Sequence, residues 1–245
     1  MGLFDKLDNY RKSRWQAKVD RALKLITTIK AIKEDRWAAI ELIASLEDVE
    51  LSVHGLLSRF EFSLEHGIND TREKEFAMKG IVNHGKKALP YLQSWIKEST
   101  RIAWPVKILK ELGSDEEVAE TLKSALNFED VSFDQAAVDK NFDILCYLRD
   151  LPIGDYTEKV KHFLGDADER VRFACVEVLV EHGDEGMPVV LEPYLLDSTP
   201  ENTRIRQSVV RAFVDKGWKV ADPKKFDNGI IMSGVKVKQD GTVVG

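Results

Sequence analysis

Between residues 79 and 110 the chain gathers Lys79, Lys86, Lys87, Lys97, Arg101, Lys107 and Lys110, with Trp95 and Trp104 set among them. Lysine and arginine neutralise phosphates and an indole stacks on bases, so one chemistry open to this stretch is nucleic-acid binding. The other is a protein interface, where aromatic and arginine anchors carry most of the energy, about 2 kcal/mol or more each. Lys87, Lys97, Arg101, Trp104 and Lys107 are the candidate partner-binding residues on either reading. Three histidines are the next candidates: Glu65-His66-Gly67, Asn83-His84-Gly85 and Glu181-His182-Gly183. Imidazoles beside carboxylates are metal-ligand types. Each of these, however, precedes a glycine where a helix should stop, and a donor there suits the last, unpaired carbonyls. The capping reading is preferred, so no metal or cofactor is expected. No P-loop, dinucleotide glycine motif, nucleophile elbow or zinc-type cysteine spacing appears. Without an acid, base and nucleophile at plausible spacing, the chain reads as no enzyme.

The elements that must position these residues repeat. Val171–Gly183 (VRFACVEVLVEHG) aligns with Ile205–Gly217 (IRQSVVRAFVDKG), matching Arg172 with Arg206, Ala174 with Ser208 and Gly183 with Gly217. Glu73–Gly85 and Arg101–Gly113 fall into the same frame, and Pro90 and Pro188 follow their glycines in register. Each unit reads as helix, glycine stop, short turn, second helix. Glycine permits a left-handed residue after the helix, and proline in the first turn of the next helix loses no needed N–H. A fixed helical repeat implies a stacked α-solenoid, about ten helices in roughly five pairs with a right-handed superhelical trend. Arg172 and Arg206, beside Asp168 and Glu201, are expected to bond acidic or carbonyl partners of their own or the adjacent repeat.

Asp168-Glu-Arg-Val171-Arg172-Phe-Ala174, with Leu179 and Gly183, resembles the HEAT repeat family, and Asn202, Ile205, Arg206 and Ser208 repeat the pattern. The resemblance is good over residues 164–217, fair over 72–126, and loose over 36–66 and 133–165. Trp104-Pro105 departs from it, so that unit should start late or kink. The resemblance implies an all-α HEAT-like superhelix whose second helices line a concave groove, serving as a noncatalytic scaffold for a protein partner. The alternative it implies is a nucleic-acid binder similar to the HEAT-like alkylpurine DNA glycosylases. A bilin lyase subunit or chaperone is a third, resting on fold resemblance alone. HEAT-like di-iron hydroxylases carry His-Glu dipeptides; here the order is reversed and only two pairs occur.

Composition fits. Of 245 residues 43% are hydrophobic, with only 15 Gly and 7 Pro, enough for one elongated domain or two compact ones. Apolar residues recur at three and four along Lys24–Ala44 and Gln135–Leu151, the mark of amphipathic helices. Cys146 and Cys175 both read as core thiols, which suits a reducing cytoplasm. No apolar run approaches the roughly 20 residues of a membrane span, and no signal peptide is recognised. The net charge is −6, but its sign alternates. Residues 77–110 carry seven cations and one acid, residues 111–170 six cations and sixteen acids. A basic patch abutting an acidic one favours a protein partner with both signs.

The ends differ in chemistry. Residues 1–35 read as an N-terminal capping helix, with Leu3, Phe4 and Leu7 on one face and Arg11, Lys12, Arg14 and Lys18 beyond. Peripheral membrane contact is the alternative for that helix. Residues 36–217 hold the repeats. Residues 218–245 form a tail: Ile230–Met232 and Val235–Val237 are β-branched and short, and Gln239-Asp240-Gly241-Thr242 is a turn signal, so a small hairpin is expected over roughly 229–244.

Overall fold

In the computed structural model the described residues are 3–129, 131–226, 230–232 and 234–245, and side chains are described except at 3–11 and 230. Among them are twelve α-helices: α1 (Leu3–Thr27), α2 (Lys33–Ala44), α3 (Val49–Leu57), α4 (Gly67–Val82), α5 (Leu89–Glu98), α6 (Ala103–Leu112), α7 (Asp115–Ala125), α8 (Gln135–Leu148), α9 (Thr157–Val160), α10 (Glu169–His182), α11 (Met187–Leu196) and α12 (Thr203–Asp215). Three strands close the chain: β1 (Ile230–Met232), β2 (Val235–Val237) and β3 (Val243–Val244). No strand lies among the described residues of 36–217.

The chain divides into two compact units, residues 1–121 and 122–245, and the division falls inside α7. In the first unit α2 packs on α1, α3 and α4; α3 packs on α5; and α4 and α5 both pack on α6. Its core includes Ile26, Ile40, Ile43, Val53, Leu56, Ile81, Leu92 and Ile108, all fully buried. In the second unit α8 packs on α10, α10 on α11 and α12, and α11 on α12. Its core includes Ile144, Leu145, Val171, Val178, Leu191 and Phe213.

A helix in both units thus packs on the helix two places along the chain, and the reason is a regular period. The residues capping α2, α4, α6, α8, α10 and α12 are Ile32, His66, Ile102, Asp134, Asp168 and Asn202. All five steps between them are 34 residues or within two of it, and three of them, the last two included, are 34. Asp134 and Asp168 satisfy orphan N–H groups directly, Asp134 accepting from Ala136 and Ala137 and Asp168 from Arg170. Pro90 and Pro188 stand in the first turns of α5 and α11, as their spacing implied. α6 begins at Ala103, two residues into its frame, with Pro105 in its first turn where no N–H is lost.

The glycine stops do not all work alike. Gly85 and Gly217 adopt φ of +58° and +65°, the left-handed region expected of them. Gly183 ends α10 in an extended conformation with φ −67°. There glycine serves close approach: a Cβ would lie 2.3 Å from the Leu179 carbonyl oxygen and 2.6 Å from Met187 Cγ. The tail is a three-stranded antiparallel sheet of order β1-β2-β3 and not a simple hairpin. Val237 pairs with Val243 across the Gln239–Asp240 turn, and Gly241 has φ +83°. β3 packs on α12.

Candidate interaction surfaces

The five partner-binding candidates lie in the first unit, along one hairpin. Lys87 precedes α5 in a 3-10 turn, Lys97 is in its last turn, Arg101 is in the following turn, and Trp104 and Lys107 are in α6. The four cations are exposed and Trp104 is half-buried. Ten residues of helix put Lys87 about 15 Å from Lys97, so the set forms a stripe and does not converge. Spacing of three on α6 brings Lys107 Nζ to 4.9 Å from the Trp104 ring centroid. The same ring lies parallel to Phe60, 5.7 Å between centroids. Ser99 holds the turn, donating to Glu61 Oε1 at 2.8 Å and accepting from the Arg101 N–H.

Trp95 packs beside His54 at 5.9 Å and its indole N–H is buried without a hydrogen bond. Both indoles belong to the core's edge. Their rings are engaged by Phe60, Lys107 and His54, which takes away the open faces on which bases would stack.

The histidines are placed separately. His84 Nε2 is 2.8 Å from Ser52 Oγ, and Ser52 donates to the Ile43 carbonyl. Burial, and then the Lys87 charge, holds the His84 imidazole below its usual value. His182 Nε2 reaches the carbonyls of Arg149 (2.7 Å) and Leu148 (3.2 Å), closing the C-terminal end of the neighbouring α8 and not its own helix. His66 departs from the expected pattern: Gly67 opens α4 and His66 caps its start. Among the described residues no three of His, Cys, Asp and Glu come together as a metal site. Cys175 is buried and donates to the Val160 carbonyl, but Cys146 is exposed, against the expectation of two core thiols. Burial, followed by the Asp143 charge, pushes the Cys146 thiol up.

Arg172 donates to the carbonyls of Asp166 and Ala167 and to Asn202 Oδ1, all within 2.9 Å. Arg206 donates to the carbonyls of Leu195 and Ile231. Both bond backbone carbonyls as expected, and Arg172 also reaches the next repeat. Arg170 takes Asp168, the acid expected beside Arg172.

Two features escaped sequence reasoning. The first is a buried ion network. Glu73, wholly buried on α4, accepts from Arg36 Nε and Nη2 and from Arg59 Nε, each at 3.0 Å. Arg59 Nη2 also reaches Asp70 at 2.8 Å, and Lys74 Nζ lies 2.7 Å from Asp70. Arg36 donates further to the carbonyls of Ile29 and Ala31. Arg36 is the fourth residue of its helix, as Arg172 and Arg206 are of theirs, so it fills the same repeat position.

The second feature is α11, whose sequence MPVVLEPYLL holds one charged residue. That residue, Glu192, is 6% exposed and accepts from the Ala221 N–H, which covers it. Val189 is 64% and Leu196 46% exposed, with Pro193 exposed between them. Spacings of four and three put the three on one face. They border a cavity of about 340 Å³ completed by Glu192, Ala221 and Lys225. Pro193 has no N–H, which also leaves the Val189 carbonyl without its helical donor.

No protein-family model, curated protein or solved structure matches this chain. Among the described residues no helix is long and apolar enough to cross a membrane.

Proposed function

We propose that the protein is a noncatalytic α-solenoid scaffold of the HEAT type that binds a protein partner. Its repeat reading is supported by the period of about 34 residues in the helix caps and by helices that pack on those two places along. The binding reading is carried by one observation: α11 has its only carboxylate covered by Ala221 and leaves Val189, Pro193 and Leu196 exposed beside it. A helix apolar on both sides is made to be covered on both. The outer face, bordered by Lys225, suits a partner segment with an aliphatic or aromatic anchor, a neighbouring carboxylate, and a donor for the Val189 carbonyl. The stripe of Lys87, Lys97, Arg101 and Lys107 beside Trp104 is the corresponding surface of the first unit. There the engaged indole rings favour a protein over nucleic acid.

The test has two parts. Titration against single- and double-stranded DNA should give weak binding at low salt. Tight binding with a steep salt slope, abolished by replacing Lys86, Lys87 and Lys97, would establish the nucleic-acid reading instead. A photo-crosslinking residue at position 189 or 196 should capture a discrete partner in cells, and Leu196→Glu should prevent capture from 189 without changing the melting temperature. Equal capture by Leu196→Glu would remove α11 from the interface.

A further inference from the structure

The long first helix is anchored by its second half. Val19, Ala22 and Ile26 are buried, at spacings of three and four that form one stripe. Ahead of them every residue from Lys12 to Lys18 is exposed, seven in a row, which is about two full turns. Neither face of those turns is buried. Of the helix expected over residues 1–35, the described packing is thus made by residues 19–26. A helix without tertiary packing is marginal in water, and this one places Trp15 in solvent, 49% exposed. Lys18 Nζ lies 5.5 Å from the Trp15 ring centroid, and Lys12 and Arg14 stand exposed within one turn of it.

The same helix continues to Leu3. The side chains of Leu3, Phe4, Leu7 and Arg11 lie outside the described residues; their sequence spacing puts the three apolar ones within about a third of the helix circumference. Residues 3–18 hold five Lys/Arg and two Asp, in a chain whose net charge is −6. The helix is thus apolar at its tip, aromatic further in, and cationic along its length.

We propose that residues 3–18 are an arm that binds an anionic lipid surface. Leu3, Phe4 and Leu7 enter the acyl boundary, and Trp15 sits at headgroup level. The long lysine and arginine side chains lay their methylenes along the apolar layer and reach the phosphates. The distribution of charge favours a membrane over an acidic protein groove. At 100° per residue Arg11, Arg14 and Lys18 fall on the same face as Leu3, Phe4 and Leu7, one to three turns further along, while Lys6 and Lys12 lie about 120° to either side. A planar sheet of charge, met by that face and by both flanks of a lying helix, uses all five; a groove reading one face does not.

The experiment is co-sedimentation of the full-length protein with vesicles of phosphatidylcholine alone and of phosphatidylcholine with phosphatidylglycerol. Partition onto the anionic vesicles is expected, falling with salt and by about five-fold for each of Lys12, Arg14 and Lys18 replaced by Ser. Phe4→Ser with Leu7→Ser should abolish it. The emission lost in Trp15→Phe should shift to the blue on anionic vesicles in the unaltered chain. All these positions precede the buried stripe, so an unchanged melting temperature will confirm an intact fold in each variant. Three results would overturn the proposal. One is no partition at low salt; another is partition indifferent to Phe4→Ser and Leu7→Ser. The third is a lipid-free dimer, seen by sedimentation velocity, that the same pair dissolves, which would assign the apolar tip to a second copy of the chain.

Discussion

Glu73→Gln should be the most destabilising near-isosteric change in the first unit. The carboxylate is wholly buried and receives three N–H donors, one on Oε1 and two on Oε2. An amide offers one acceptor and one NH2. Whichever way it is turned, its NH2 faces a guanidinium N–H, donor against donor. The change also removes one of two negative charges facing Arg36, Arg59 and Lys74. Leaving a buried ion without its partner costs about 3–5 kcal/mol. At about 2–4 °C per kcal/mol for a chain of this size, the melting temperature should fall on the order of 10 °C. Urea unfolding followed by far-ultraviolet circular dichroism measures the loss. Asp150→Asn is the control, because its pair with Arg149 is exposed and should matter by under about 1 kcal/mol. Combining Glu73→Gln with Arg36→Gln should cost less than the sum, since both act on one network. If Glu73→Gln costs under about 1 kcal/mol, or the two changes simply add, the network does not hold α2 to α4 and the reasoning fails.

Arg172→Ala should lower stability by about 1–3 kcal/mol by unpairing the Asp166 and Ala167 carbonyls; calorimetry will measure it, and an unchanged transition would deny the arginine its framing role. Gly183→Ala should cost about 1–3 kcal/mol or more through overpacking, whereas a neutral result by denaturant titration would mean the α10–α11 turn relaxes freely. His84 has its folded pKa held below the ordinary 6.5. Its contribution is therefore present above 6.5 and lost as pH falls through the depressed value. His84→Gln should flatten the melting-temperature profile on the acid side of neutrality, and identical slopes for the two proteins would refute that assignment.

The repeat was legible where the helix caps are polar. Asp134, Asp168 and Asn202 stand 34 residues apart, and the second half of that run carried the family resemblance. The equivalent residues upstream are Ile32, His66 and Ile102, which make no side-chain cap bond and so carry no signal. Arg36 was therefore not recognised as the counterpart of Arg172. The ion network was hidden for a related reason: Arg36, Arg59 and Glu73 come from three elements, and a charge in an amphipathic pattern reads as exposed. α11 misled differently. A helix apolar nearly all round has no period to show which side faces out, so the burial of Glu192 could not be inferred. Cys146 lies next to the core-facing Leu145, and one residue of helix, 100°, is enough to expose it. β3 is two residues long, too short for alternation to be seen.

Arg36, Arg172 and Arg206 show what the repeat demands and what it leaves open. Each is the fourth residue of its helix, and each donates to a backbone carbonyl that precedes that helix: Arg36 and Arg172 in the turn just ahead, Arg206 at Leu195 in the last turn of α11. The demand comes from these carbonyls, which would otherwise lack donors. What each guanidinium does with its remaining donors is local: Arg36 takes Glu73, Arg172 takes Asn202, and Arg206 takes the Ile231 carbonyl of the tail sheet. The tail is thereby tied to the fourth residue of α12. Residues that serve this frame are fixed by it and are poor places to look for function. Val189, Pro193 and Leu196 stay exposed, while Leu191, Glu192 and Leu195 are buried. Exposed apolar side chains of this kind are the ones that the proposed partner would cover.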